Sequence, residues 1–254
     1  MGKSRTVSAT GFYHVFARGI NHEVIFGQIR EKKYFKKIVK KYVSKYAVEI
    51  YAYCIMPTHI HFIIKSENIQ ELSMFMSRIL AEYAQYYNYK KRRNGHVFQG
   101  RYGSECIENE EHFWNCLRYI HLNPVKAHLV EKASDFPYSS MKDYMKGQKA
   151  LLHENALQMV KNRFLECPEF ESFHQFKNNI VFLGMVEEIY QQRVEVAWKI
   201  IWELQEKYCL NHTCEVFEEP TYRTEFFLEM HERMSISSNL QNQIYNDIKR
   251  ELIC

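Results

Sequence analysis

His59 and His61 stand either side of one isoleucine in YCIMPTHIHFII, residues 53–64. In a strand, side chains at i and i+2 point to the same side, so the two imidazoles share one face. Two neutral imidazoles placed in that way make a ready bidentate site for a divalent cation. The plain alternative is a pair of half-exposed strand histidines. A third ligand has to come from elsewhere, and CLRYIHLNPVKAHLV offers one. Tyr119 and Asn123 are four apart there, one helical turn from each other on a single face. Each also has a structural reading. Tyr119 is one of 18 tyrosines and suits a core or sheet edge. Asn123 precedes Pro124, avoids the α region for that reason, and suits the N-cap of a following short helix, PVKAHLV.

The elements that must position these residues follow from periodicity. GFYHVFARG alternates and ends in Gly19, so it reads as a strand. EKKYFKKIVKKYVSKY carries apolar residues at helical spacing with lysines on the remaining face. AVEIYAYCIM and HIHFIIKS are two strands joined by a turn at Pro57 and Thr58. The long amphipathic helix NIQELSMFMSRILAEYAQYYNYKKRR starts at Asn68, with Glu71 three residues later as in a capping box. GHVFQGRYGSECI is extended, with Gly95, Gly100 and Gly103 marking turns or bulges. NEEHFWNCLRYIHL is a helix capped by Asn109. Strand, helix, strand, strand, helix, strand, helix is the ferredoxin-like split βαβ order: an α+β fold, with an antiparallel sheet and helices on one face.

Composition bounds the function. Hydrophobic residues make up 46% and aromatics 15%, enough for a real core. No stretch approaches the roughly 20 apolar residues that span a bilayer, and the N-terminus lacks the apolar region of a secretory signal. These features predict a cytoplasmic protein with no membrane partner. Seven scattered cysteines without a C-x-x-C pair argue against a disulfide framework or a zinc ribbon. The net charge of +4 divides into +10 over residues 1–148 and −6 over 149–254. The shift, with the break at Gly147, predicts a basic domain over 1–148 and a helical C-terminal region over 149–254. A basic half suits a phosphate-backbone partner. YAQYYNYKKRRNGHVFQGRY interleaves tyrosines with Lys90, Lys91, Arg92, Arg93 and Arg101, the pattern that holds single-stranded nucleic acid by stacking and charge. Its alternative is a helix whose tyrosines face the core and whose basic end is solvated.

Five stretches, in order and spread over more than half the chain, carry a further signal: YHVFARGINHEVIF, AYCIMPTHIHFII, GHVFQGRYGS, LRYIHLNPVKAHLV and DFPYSSMKDYM. Over residues 11 to about 146 the chain resembles the HUH single-tyrosine transposases, most of all the REP-associated tyrosine transposases. The resemblance implies that His59 and His61 are the paired histidines of the HUH motif. It implies that Tyr119 is the nucleophile, and that Asn123 occupies the polar metal-ligand position one turn later. It further implies Mg²⁺ or Mn²⁺ as cofactor and single-stranded DNA with hairpin or repeat elements as partner. The reaction would be nicking and joining through a 5′-phosphotyrosine link, by a monomer or a homodimer. Two other functions fit the same residues: a sequence-specific nucleic-acid-binding protein without turnover, and a metal-dependent phosphodiesterase that uses water in place of Tyr119. Beyond residue 148 the resemblance gives no role. Residues 183–208 read as an amphipathic helix or helix pair with Trp198 and Trp202 in its core, and residues 223–252 as two or three short helices.

Overall fold

The structure, a computed structural model, describes residues 6–175, 181–182 and 186–252. It divides into two units, residues 1–177 and 178–254.

Elements of the first unit follow the expected order: β1 (Phe12–Arg18), α1 (Ile29–Val43), β2 (Glu49–Ile55), β3 (His59–Lys65), α2 (Ile69–Lys91), β4 (Gly103–Ile107) and α3 (Glu110–Lys126). The strands form one antiparallel sheet in the order β2-β3-β1-β4. That is the α+β split βαβ arrangement the sequence predicts. Its core lies between the sheet and α1 and α2, where Phe35 of α1 meets Phe62 of β3 and Tyr83 of α2 stacks on Phe26. The helices are not confined to that face. Phe113 of α3 packs edge-on against Phe12, and Tyr119 against His61. Alternation puts Phe12, His14, His59 and His61 opposite the face that carries Val15 and Phe62. The sheet is therefore buried on both sides, with the histidine pair under α3.

Local signals explain the helix starts. Asn68 caps α2 by accepting from the Gln70 N–H at 2.8 Å, and Asn109 caps α3 by accepting from His112 N–H at 2.8 Å. Glu71 does not complete a capping box. Its carboxylate accepts from Ala47 N–H at 3.2 Å, tying α2 to the turn before β2. The box occurs instead at α1, where Gln28 N–H donates to Glu31. Pro124 does not end α3 or start a new helix. The helix runs through it to Lys126 and closes with Ala127 N–H donating to Asn123 C=O at 3.0 Å. A proline at this point removes one donor, and the helix stops within a turn of it.

The expected boundary after residue 148 differs from the division observed at 177. The outer edge of β2 needs backbone partners. Residues 138–153 supply them: Ile55 N–H donates to Tyr138 C=O, Tyr53 N–H to Ser140 Oγ, and His153 N–H to Ile50 C=O, each at 2.9 Å. After α4 (Ser140–Met145), α5 (Glu154–Arg163) and α6 (Cys167–Phe173) cover the side of α3 turned away from the sheet. Arg163 pairs with Glu110 at 3.0 Å and lies over Trp114, and Phe164 and Phe173 pack on the same indole.

The second unit consists of α7 (Val186–Lys207), α8 (Glu215–Glu218), α9 (Pro220–Met234) and α10 (Ser238–Leu252). The first three residues of the helix predicted from 183 lie outside the described residues. Ile200, Ile201, Phe226, Met230, Ile244 and Ile248 form its core. Trp198 packs against that core, but Trp202, one turn on, is 40% exposed and is not the core residue its spacing predicts. Among the described residues no helix is long and apolar enough to cross a membrane, and the six described cysteines are all free thiols.

The packing of α6 on α3 has a pH consequence. A chain of neutral groups runs from Phe170 C=O to His174 Nδ1 (2.7 Å), from His174 Nε2 to His121 Nδ1 (2.8 Å), and from His121 Nε2 to Ser140 Oγ (2.7 Å). Burial drives both imidazoles below the ordinary histidine range, His174 to about 4. A histidine held neutral in the fold costs stability once the unfolded chain begins to take up its proton, near pH 6.5. Stability is therefore expected to be intact above pH 6.5 and to decline as pH falls toward 4. The loss from His174 is on the order of 3 kcal/mol. Urea titrations across that range check this, and His174→Gln should flatten the decline.

Candidate active site

The sheet register builds the site. His61 on β3 lies opposite Phe16 on β1, His59 opposite Arg18, and His14 opposite Glu105 on β4. His59 and His61 stand edge to face with ring centroids 5.0 Å apart. Tyr119 reaches them from α3. Its ring is edge-on to His61 at 5.5 Å and to His14 at 5.7 Å, and it is 1% exposed. The sequence separates this tyrosine from the histidine pair by more than fifty residues, and the fold brings all three together. Because α3 continues to Lys126, Tyr119 lies about two turns inside the helix rather than in its last turn. Asn123 follows one turn later, also buried. Its amide Nδ2 donates to Tyr119 C=O at 2.9 Å, fixing which way the amide faces.

His14 was not among the residues the sequence singles out. Its Nε2 is 3.0 Å from His61 Nδ1, and its Nδ1 is 3.4 Å from Glu105 Oε2. A signal was present: His14 shares the parity of Phe12 and Phe16 on β1. It becomes informative only once β1 is known to lie between β3 and β4. Phe16 completes the wall, tilted against His14 and His61. It can lie there because its partner is Gly103, where a Cβ would come within 2.2 Å of the Phe16 ring.

Whether this donor set fits a cation can be judged from its chemistry. His59 Nδ1 is engaged by Thr58 Oγ1 at 2.9 Å and His61 Nδ1 by His14, so on each ring a cation would be met through Nε2. No group of three or more His, Cys, Asp or Glu suited to a metal occurs among the described residues. A closed structural zinc site is thus not formed by them. Two imidazoles with further positions for amide, water or phosphate oxygen fit a catalytic Mg²⁺ or Mn²⁺.

The five basic candidates separate into two groups. Lys90 bonds to Glu31 at 2.8 Å and Gln28 at 2.9 Å, Lys91 lies 3.6 Å from Glu31, and Arg93 pairs with Glu23. The Arg93 hydrogen bond holds the Glu23 carboxyl below its ordinary range. These three therefore tie the end of α2 to α1 and to the segment after β1. Arg92, in a left-handed conformation at the helix end, and Arg101 face solvent. Of the tyrosines, Tyr83 and Tyr87 are buried, Tyr86 stacks on Tyr34 at 3.9 Å, and Tyr89 is 89% exposed. The core reading thus describes most of the tyrosines, and the surface reading describes Tyr89. This surface adjoins the histidine end of the sheet: Gly19 N–H donates to Thr58 C=O, Ile20 N–H to Val97 C=O, and Gln99 N–H to Arg18 C=O.

Known proteins resemble this chain over the stretch that carries the site. Residues 8–123 match the family model of the IS200-like transposases. The matched stretch contains both paired histidines, Tyr119, Asn123, His14 and Glu105, and it agrees with the resemblance seen in the sequence. A Haemophilus influenzae protein whose name assigns it to the REP-associated tyrosine transposases is 29% identical over 116 residues. The alignment covers 42% of this chain and 66% of that protein's length. Among solved structures, a REP-associated tyrosine transposase bound to a REP hairpin aligns with a TM-score of 0.48 and 21% identity, over 58% of this chain and 87% of its own. A Deinococcus radiodurans R1 protein named as a transposase aligns with a TM-score of 0.32 and 15% identity, over 51% and 92% of the two chains. The IS200-like stretch ends at Asn123, so the clamp formed by α5 and α6 and the whole second unit lie beyond it.

Proposed function

We propose that this chain is a metal-dependent single-strand DNA transposase that nicks and joins through Tyr119. The observation that carries the reading is the edge-on placement of Tyr119 against the His59 and His61 pair, within the stretch matching the IS200-like transposases. His59 and His61 would hold a divalent cation, with Asn123 as a third ligand from α3. When bound, that cation supplies charge neutralisation and polarisation at the scissile phosphate. Tyr119 Oη forms a bond to phosphorus while the bond to the 3′-oxygen breaks. The tyrosine proton is lost, and the 3′-oxygen leaves as a hydroxyl. The resulting 5′-phosphotyrosine conserves the phosphodiester energy, so a second 3′-hydroxyl can displace Tyr119 and rejoin strands without ATP. The cover that α5 and α6 give α3 over its own sheet supports a site complete in a monomer. The REP-hairpin complex of a relative suggests hairpin DNA as the form to test.

Incubation with a labelled single-stranded hairpin and Mn²⁺ should give a labelled band of protein size on a denaturing gel, absent with EDTA. Cleavage without such a band would favour the phosphodiesterase reading, and binding without cleavage the binding-only reading. Affinity for the strand should fall steeply with salt, because each neutralised phosphate contributes roughly −0.7 to the log–log slope. Arg92→Ala and Arg101→Ala should each flatten that slope by about one such increment. Arg93→Ala should also lower stability by leaving Glu23 without its guanidinium. A salt-independent affinity would count against a nucleic-acid substrate.

A further inference from the structure

We infer that Glu105 and His14 are positioning residues that fix the proton of His61 on Nδ1 and so leave the lone pair of Nε2 for a cation. The inference deepens the proposed metal site and rests on that reading. Three side chains on three adjacent strands form the relay: Glu105 on β4, His14 on β1 and His61 on β3. His14 and His61 are both fully buried, and their rings stack nearly parallel at 5.2 Å and 16°.

The direction of the relay follows from donor and acceptor chemistry. A carboxylate oxygen only accepts, so of the two neutral tautomers of His14 the one that matches Glu105 carries its proton on Nδ1. His14 Nε2 is then an acceptor, and the contact at 3.0 Å requires His61 Nδ1 to donate. A neutral imidazole with its proton on Nδ1 carries its lone pair on Nε2, the tautomer that binds a cation through that atom. Without Glu105, the carboxylate that favours the Nδ1–H form of His14 is lost, and the form with its proton on Nε2 gains weight. That proton would point at His61 Nδ1 and force the opposite tautomer, with the Nε2 position blocked by hydrogen. Glu105 thus acts two rings away from the cation. His112 of α3 also lies within electrostatic reach of Glu105 and His14, and burial keeps it below the ordinary histidine range. At pH 8 it is neutral and adds no competing charge.

The test uses the full chain without metal at pH 8. Two-bond proton–nitrogen correlation of the imidazoles should show His61 protonated at Nδ1 in the unmodified protein. Glu105→Ala should move His61 toward the Nε2–H form, and calorimetric titration should show Mn²⁺ affinity reduced by roughly 10- to 100-fold, the usual effect of losing an outer partner of a ligand. Glu105→Gln, whose amide oxygen can still accept from His14, should retain the tautomer and most of the affinity. Glu105 is partly exposed at 19%, so its removal leaves a small defect, and thermal unfolding of each variant separates misfolding from loss of positioning. The inference is overturned if His61 carries its proton on Nε2 in the unmodified protein. It is equally overturned if Glu105→Ala leaves the nitrogen shifts unchanged and Mn²⁺ affinity within twofold. Failure of the unmodified protein to bind Mn²⁺ would sink the proposed metal site, and the nitrogen shifts would still decide the relay.

Discussion

Tyr119→Phe protein is expected to bind a hairpin oligonucleotide as tightly as the unmodified chain and to form no covalent adduct. The substitution removes one oxygen and keeps the ring that packs edge-on against His61 and His14, so neither α3 nor the histidine pair should shift. Removing a nucleophile outright costs far more than removing a binding contact, and a loss of cleavage of at least roughly 10³-fold is expected. A mechanism that uses water in place of tyrosine predicts near-normal cutting by the same variant. Equal cleavage by the two proteins, or an adduct that persists in the Phe variant, would remove Tyr119 from the chemistry.

His59→Ala and His61→Ala should each lower cleavage by roughly 10²- to 10³-fold, the scale of losing one fixed electrostatic stabiliser of the transition state. Both histidines are buried in the sheet, so Ala leaves a cavity at each. Asn variants, which keep a polar group of closer volume, separate that packing loss from loss of the cation. Strand binding should survive in all four proteins, because the solvent-facing Arg92 and Arg101 lie outside the donor set. Raising Mn²⁺ should partly restore the variant with one remaining imidazole. Full cleavage by either Ala variant would show that the pair does not serve the reaction.

Much of this site was legible in the chain because strand parity and helical spacing are local. The i and i+2 spacing of His59 and His61 needs only a strand, and the i and i+4 spacing of Tyr119 and Asn123 only a helix. What local spacing cannot supply is the neighbour across the sheet. His14 and Glu105 meet His61 through strand order and register, which depend on pairing between residues nearly fifty and more than ninety positions apart. The partners of the basic run after Tyr89 are hidden for a related reason. Lys90, Lys91 and Arg93 look free in the sequence, but Glu31 and Glu23, some sixty to seventy residues earlier, fold back to meet them. Pro124 looks like a helix stop, yet tertiary cover on both sides of α3 carries the helix a few residues past it. The charge change near residue 148 marks a surface property. The edge of β2 and the outer face of α3 require cover from the next thirty residues, so the first unit extends to 177.

The covalent intermediate is the most direct test of the account. The unmodified protein, incubated with a hairpin oligonucleotide and Mn²⁺, would be denatured, digested with nuclease and trypsin, and sequenced by mass spectrometry. Cleavage after Arg118 and Lys126 gives a peptide, YIHLNPVK, whose only tyrosine is Tyr119. A nucleotide linked through its 5′-phosphate to Tyr119 is expected, with a free 3′-hydroxyl on the other strand end. Cleaved strands with no modified peptide, or the nucleotide on any other residue, would contradict it.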